Sequence, residues 1–213
     1  VISTRLTQQM QFVIEIDKLK QVLRQTLLTN GSRRENSAEH SWHIALMAIV
    51  LAEYAPAPLA LLHVIKLLLL HDLVEIDAGD TFCYDNQGNQ SKVDRETQAA
   101  DRLFGLLPTD QSGEFRALWD EFEAQETPAA KFAAALDRLQ PLLNNHQTGG
   151  YSWKLHGITS DRVLQRMAPI QTGAPELWSV VQQVIEDCIA AGHLKEPASE
   201  EEVAIGNLDA PVA

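Results

Sequence analysis

Apolar positions along the chain recur at three and four, seldom at two. Phe12, Ile16, Leu19, Leu23 and Leu27 share one helical face, which predicts a first helix over about 7–28. Asn30-Gly31 reads as its stop. Residues 31–36 read as a polar, basic loop. Ser37 is the expected N-cap of a second helix reaching residue 54. Pro56 and Pro58 mark the next turn, and a third helix is predicted over about 59–72. Residues 79–91 are polar, with Gly88 and two Asn, and predict a long loop of the kind that often carries function. Further helices are predicted at about 92–107, 110–125, 127–145, 160–168 and 175–191. Thr127-Pro128 sets a cap and a first helical position. Strand-like alternation is nearly absent, so the expected fold is all-α.

Composition narrows the class. The 213 residues are 45% apolar and 22% charged, an ordinary globular mix that excludes disorder for the bulk of the chain, collagen and disulfide scaffolds. The expected organisation is one helical domain over 1–195 and an acidic tail over 196–213, which holds five acids and no base. The longest apolar stretch, 57–70, is broken by Pro58, His63 and Lys66. It is shorter than the roughly 20 residues a bilayer-crossing helix needs, so it reads as a buried core helix and no membrane partner is expected. Residues 1–10 lack the apolar segment of a secretory signal. A net charge of −12 argues against sequence-blind binding to a nucleic-acid duplex, which needs cations against phosphates. Cys83 and Cys188 are too few for a disulfide framework and fit reduced thiols in a cytoplasmic protein.

Candidate chemistry concentrates where charge interrupts apolar runs. His71-Asp72 closes the run Leu67 to Leu70. Alone, the dipeptide reads as a helix end, with Asp72 exposed and His71 near the C-terminal dipole. Its neighbours change that. Glu75 follows His71 by four, and Asp77 and Asp80 come soon after. His40 and His43 share a face of the second helix. Asp137 interrupts Phe132 to Leu136, where a carboxylate needs a partner or a metal. Two imidazoles and two carboxylates from three helices suit one divalent cation. Imidazole favours Mn, Fe, Co, Ni or Zn, and carboxylates with water favour an open, higher-coordinate site. Arg33 and Arg34 read equally as a phosphate clamp or as a solvated loop pair. His43 and His63 read as packed residues. Trp153 and His156, in a Gly-rich aromatic segment, line a pocket or pack an interface. The stripe Val180, Val181, Val184 and Ile185 serves an interface or the core.

These residues resemble the HD-domain phosphohydrolase superfamily, whose signature is H…HD…D on separate helices. Here it reads His40, His71-Asp72 and Asp137. The strings at 34–41, 71–80 and 135–142 are most similar to the branch that holds 5′-deoxynucleotidases, and the resemblance runs over about residues 10 to 190. It implies an all-α HD-domain helical bundle in which His40, His71, Asp72 and Asp137 bind one divalent cation (Mn, Co, Fe, Ni, Zn or Mg). It implies Glu75 as the acid/base or water-orienting carboxylate, and Asp80 against the sugar or leaving group. It implies hydrolysis of a small-molecule phosphate ester, a nucleoside 5′-monophosphate, by a homodimer. The branch reads phosphate and deoxyribose with an Arg-Trp pair. The nearest match here is Arg24-Gln25, so Arg24 joins Arg33 and Arg34 as a candidate substrate-binding residue and the Trp is absent. The alternatives are another HD-type activity, a triphosphohydrolase or a cyclic-nucleotide phosphodiesterase, or a non-catalytic helical protein stabilised by its metal.

Overall fold

In a computed structural model of the chain, residues 2–197 are described. Nearly all of the acidic tail expected at 196–213 lies outside them. The described residues are predominantly helical, as the periodicity predicts, with one departure near the start. Helix α1 (Thr4–Glu15) does not run to residue 28. It tightens into a 3₁₀ turn at Ile16–Gln21, and the chain then extends as β1 (Leu23–Leu27). Its antiparallel partner β2 (Arg34–Asn36) takes part of the expected loop, with Leu23 opposite Asn36 and Leu27 opposite Arg34. Asn30-Gly31 forms the tip of this hairpin. Gly31 adopts φ 70°, and its N–H donates to the Leu28 carbonyl. The dipeptide that signals a helix stop also signals a hairpin. The apolar spacing misleads past Leu19: Leu23 ends 55% exposed, while Thr26 and Glu35 are buried.

Helix α2 (Ser37–Val50) is capped by Asn36, one residue before the expected cap. Asn36 Oδ1 accepts from the Glu39 N–H (2.9 Å), and Glu39 accepts back from the Asn36 N–H (3.2 Å). Helix α3 (Leu61–Leu70) buries Val64, Leu67, Leu68 and Leu70. The chain then continues through a 3₁₀ turn, His71–Val74, into the single turn α4 (Glu75–Ala78). A short α5 (Asn86–Gln90), capped by Asp85, interrupts the predicted long loop. There follow α6 (Lys92–Phe104), α7 (Thr109–Ala124) and α8 (Pro128–Gln147). Then come α9 (Tyr151–His156), α10 (Ser160–Met167), α11 (Ile170–Gly173) and α12 (Trp178–Ala190). Helix α9, flanked by left-handed Gly150 and Gly157, lies in the aromatic segment for which no helix was predicted. Helix α12 turns Val181, Val184 and Ile185 into the core and leaves Val180 exposed, so the stripe serves chiefly the core.

Helix α8 is the axis of the fold. Thr127 caps it by accepting from the Ala130 N–H, and α2, α3, α7, α11 and α12 pack around it. Its buried alanines, Ala130, Ala133, Ala134 and Ala135, let these neighbours approach closely. At Gly173 of α11 a Cβ would sit 2.2 Å from the Lys131 carbonyl oxygen of α8. Gly173→Ala is therefore expected to destabilise by about 2–3 kcal/mol, the usual cost of overpacking. A thermal melt should show a fall of roughly 5–10 °C; an unchanged melt would mean that α11 shifts freely on α8. Among the described residues, no helix is long and apolar enough to cross a membrane.

Candidate metal centre

The 3₁₀ turn after α3 carries His71 and Asp72 inward. Both are buried, which excludes the solvated helix end. His71 Nδ1 donates to the Leu68 carbonyl at 2.8 Å, so the ring presents Nε2 to the interior. That nitrogen is buried and has no hydrogen-bond partner. It faces Asp72 Oδ1 at 3.0 Å and Asp137 Oδ1 at 3.6 Å.

His40, from the first turn of α2, is oriented in the same way. Gln140 of α8 donates its amide to Glu35 Oε1 (2.7 Å), which leaves Gln140 Oε1 facing His40 Nδ1 (3.0 Å). Nδ1 is then the donor, and Nε2 lies 3.0 Å from Asp137 Oδ1. Each imidazole thus has its outer nitrogen tied to an acceptor and its inner nitrogen turned on a carboxylate. An imidazole nitrogen and a carboxylate oxygen repel at 3.0 Å unless a proton or a cation lies between them. Ligand atoms of His40, His71 and Asp72 fall within 4.8 Å of one another, and Asp137 touches both histidines. Nitrogen and oxygen donors in this arrangement fit a divalent cation.

The electrostatics point the same way. Burial opposes charge on His71, but Asp72 and Asp137 outweigh it and hold the imidazole well above its usual range. Burial would raise both aspartates. Instead Asp72 is held low by His71 and Arg24, and Asp137 by His40 and His71. The pocket is built around positive charge.

Arg24, on β1, donates from Nη1 to Asp72 Oδ2 at 2.9 Å and lies 3.9 Å from Asp80 Oδ1. Burial works against its charge, and Asp72, Asp80 and Glu75 overcome that. Glu75 is buried one turn beyond His71, accepting from Ser37 Oγ at 2.6 Å. Its burial, with Asp72 adding to it, pushes its carboxyl well above the usual range. Asp80 is raised by burial too. Arg24, Asp72, Glu75, Asp80 and Asp137 line a cleft of about 1040 Å³, open to solvent, together with Phe82, Tyr84 and Trp153.

Two expected phosphate ligands are corrected. Arg33 and Arg34 do not line the cleft. Arg33 is exposed and bound to both carboxylate oxygens of Glu39 (2.8 and 2.6 Å), where it braces the start of α2. Arg34 lies on β2, next to the buried Glu35. His43 contacts Gln140, and His63 pairs with Glu121 near the surface. Asp77 pairs with Arg102. Trp153 lines the cleft, and His156 stacks on Phe82 with ring centroids 4.5 Å apart.

Several residues of the site were missed. Glu35, Gln140 and Ser37 hold it from behind. Lys92, Glu96, Glu123, Arg138 and Arg166 line the cleft. Burial pushes Glu96 up to about 7, against the pull of Lys92. Its signal was present: Glu96 falls on the same stripe of α6 as Ala99, Ala100 and Leu103, all buried.

The chain belongs to the HD domain family, whose model matches residues 16–178. Over 135 residues it is 33% identical to the human 5′-deoxynucleotidase HDDC2, a stretch that is 63% of this chain and 65% of that protein. The zebrafish (Danio rerio) protein of the same name is 30% identical over 139 residues, 65% of this chain and 68% of that one. The match to the human relative thus spans less than two thirds of its length. Among solved structures, a predicted metal-dependent phosphohydrolase from Magnetospirillum magnetotacticum MS-1 is 54% identical, with a TM-score of 0.87 over 90% of this chain and 96% of that one. A conserved hypothetical protein from Pyrococcus furiosus shares the fold at 20% identity, with a TM-score of 0.56 over 84% of this chain and 98% of that one.

Proposed function

We propose that this protein is a metal-dependent phosphohydrolase that releases phosphate from nucleoside 5′-monophosphates, with His40, His71, Asp72 and Asp137 holding one divalent cation. The observation that carries this reading is the pair of inner imidazole nitrogens turned on the carboxylates of Asp72 and Asp137, which line an open cleft. The names of the human, zebrafish and Magnetospirillum relatives support it. A cation held there supplies charge against the phosphoryl oxygens and makes water a better nucleophile near neutral pH.

The chain's own groups do the rest. Arg24, fixed on Asp72, stands at the cleft to offset phosphate charge. That local charge is needed, because a chain of net −12 repels a dianion. Glu75, anchored by Ser37 Oγ at 2.6 Å, stands to move a proton at its carboxyl. Asp80, 3.9 Å from Arg24, accepts from the sugar or leaving group. A homodimer in the cytoplasm belongs to the same reading. The exposed apolar stripe Trp42, Leu46, Ile49 and Val50 on α2 supports the first, and free Cys83 and Cys188 support the second.

The test is phosphate release from nucleoside mono-, di-, tri- and cyclic phosphates, ribo and deoxy side by side, with Mn, Co, Ni, Zn or Mg supplied. Release from monophosphates well above the other classes is expected. Turnover confined to triphosphates or cyclic phosphates would move the protein to another HD-type activity. Bound cation without turnover on any of them would make the centre structural.

A further inference from the structure

Four cationic side chains line the cleft, and two are accounted for. Arg24 is bound to Asp72 at 2.9 Å, and Lys92 faces Glu96 at 3.6 Å. Arg138 and Arg166 are not. Arg138 is 8% exposed and gives its terminal nitrogens to the Ala134 carbonyl (2.8 Å) and Gln125 Oε1 (3.1 Å), both uncharged. Its Nε–H is buried with no acceptor. Among the described residues, no carboxylate lies within 4.0 Å of its guanidinium. Arg166, in the last turn of α10, comes no closer to a carboxylate than 3.9 Å, from Nη2 to Asp137 Oδ2, beyond hydrogen-bond range. Asp137 thus turns Oδ1 to the histidines and Oδ2 towards Arg166.

A buried guanidinium whose charge meets only neutral acceptors, with an N–H left over, costs free energy. Its position on a cleft wall, beside a second unsatisfied guanidinium, offers an arriving anion what the protein does not supply. Guanidinium groups suit phosphate because they meet two of its oxygens at once.

We propose that Arg166 and Arg138 form an oxyanion subsite on the Asp137 flank of the cleft, as Arg24 stands on the Asp72 flank, and that it takes the oxygens of a phosphate group. This deepens the phosphohydrolase reading and rests on it for the identity of the anion. Arg166, with its side chain 37% exposed, makes the contact. Arg138 is a positioning residue whose fixed charge favours the anion from behind.

The test is calorimetric titration of inorganic phosphate into the full-length, cation-loaded protein. Arg166→Gln should weaken phosphate binding about tenfold, the usual worth of a charged hydrogen bond. Arg166→Lys should recover part of the loss. Cation content and melting temperature should match wild type, since a half-exposed arginine without a close partner contributes little to the fold. In steady state, KM should rise more than kcat falls. Arg138→Gln should weaken phosphate binding as well; should that buried variant not fold, Arg166 alone decides. Wild-type phosphate affinity in Arg166→Gln, or a wild type that binds no phosphate, overturns the subsite. A wild type that binds phosphate through Arg166 yet releases none from any nucleotide would keep the subsite and defeat the phosphohydrolase reading.

Discussion

Glu75→Gln is expected to keep the cation and the substrate and to lose turnover by about 10²-fold or more, the usual worth of general acid–base help. Glu75 is buried, one helical turn beyond His71, and its carboxyl is held well above the usual range by burial and by Asp72. A carboxyl so placed binds its proton more tightly than an ordinary carboxylate and stands to exchange it during reaction. The amide of Gln keeps an oxygen for the Ser37 hydroxyl, so the fold around it should be undisturbed. It offers no basic site and no transferable proton. Phosphate release and cation content should be measured on the same preparation. Near wild-type turnover would remove Glu75 from the chemistry; loss of the cation would make it a ligand.

The second large effect concerns Asp72. Asp72→Ala is expected to leave the purified protein without its divalent cation. A ligand that binds only the folded state at 100 times its Kd adds about 2.7 kcal/mol. A chelator should therefore lower the wild-type melting temperature by roughly 5–10 °C and leave Asp72→Ala unmoved. The variant should also start lower than chelated wild type, because Arg24 loses its 2.9 Å partner and keeps only Glu35 and Asp80, each at 3.9 Å. Asp72→Asn separates the two causes: it keeps an acceptor for Arg24 and lacks the negative charge the cation needs. Unchanged cation content in Asp72→Ala would end its assignment as a ligand.

The helical frame and the inner face of the site could be read from the residues because both rest on local rules. Apolar periodicity marks a helix wherever one face is buried, and a carboxylate or imidazole inside such a face demands a partner. His71-Asp72 and Asp137 carried that signal. The hairpin did not, because Leu23 and Leu27 keep helical spacing although what buries there is Thr26. The arginines show the same limit. Arg33 and Arg34 stand beside the signature in sequence, yet Arg33 is spent on Glu39. Arg166 lies 29 residues beyond Asp137 and reaches the cleft only because α10 packs on α8. Membership of a cleft is a property of packing, and packing between distant helices leaves no local mark.

The groups of the centre come from widely separated stretches of chain: His40 and Asp137 stand 97 positions apart, and Arg24 and Asp72 stand 48 apart. No fragment that folds from neighbouring residues contains the set. A chain emerging from the ribosome cannot complete it until α8 is out and has docked against α2 and α3. Closing loops of this size costs entropy that only long-range packing returns. The cation therefore meets a nearly finished molecule and latches a topology already reached, instead of seeding it. Apo chains should accordingly fold at the rate of holo chains and differ from them in how slowly they come apart.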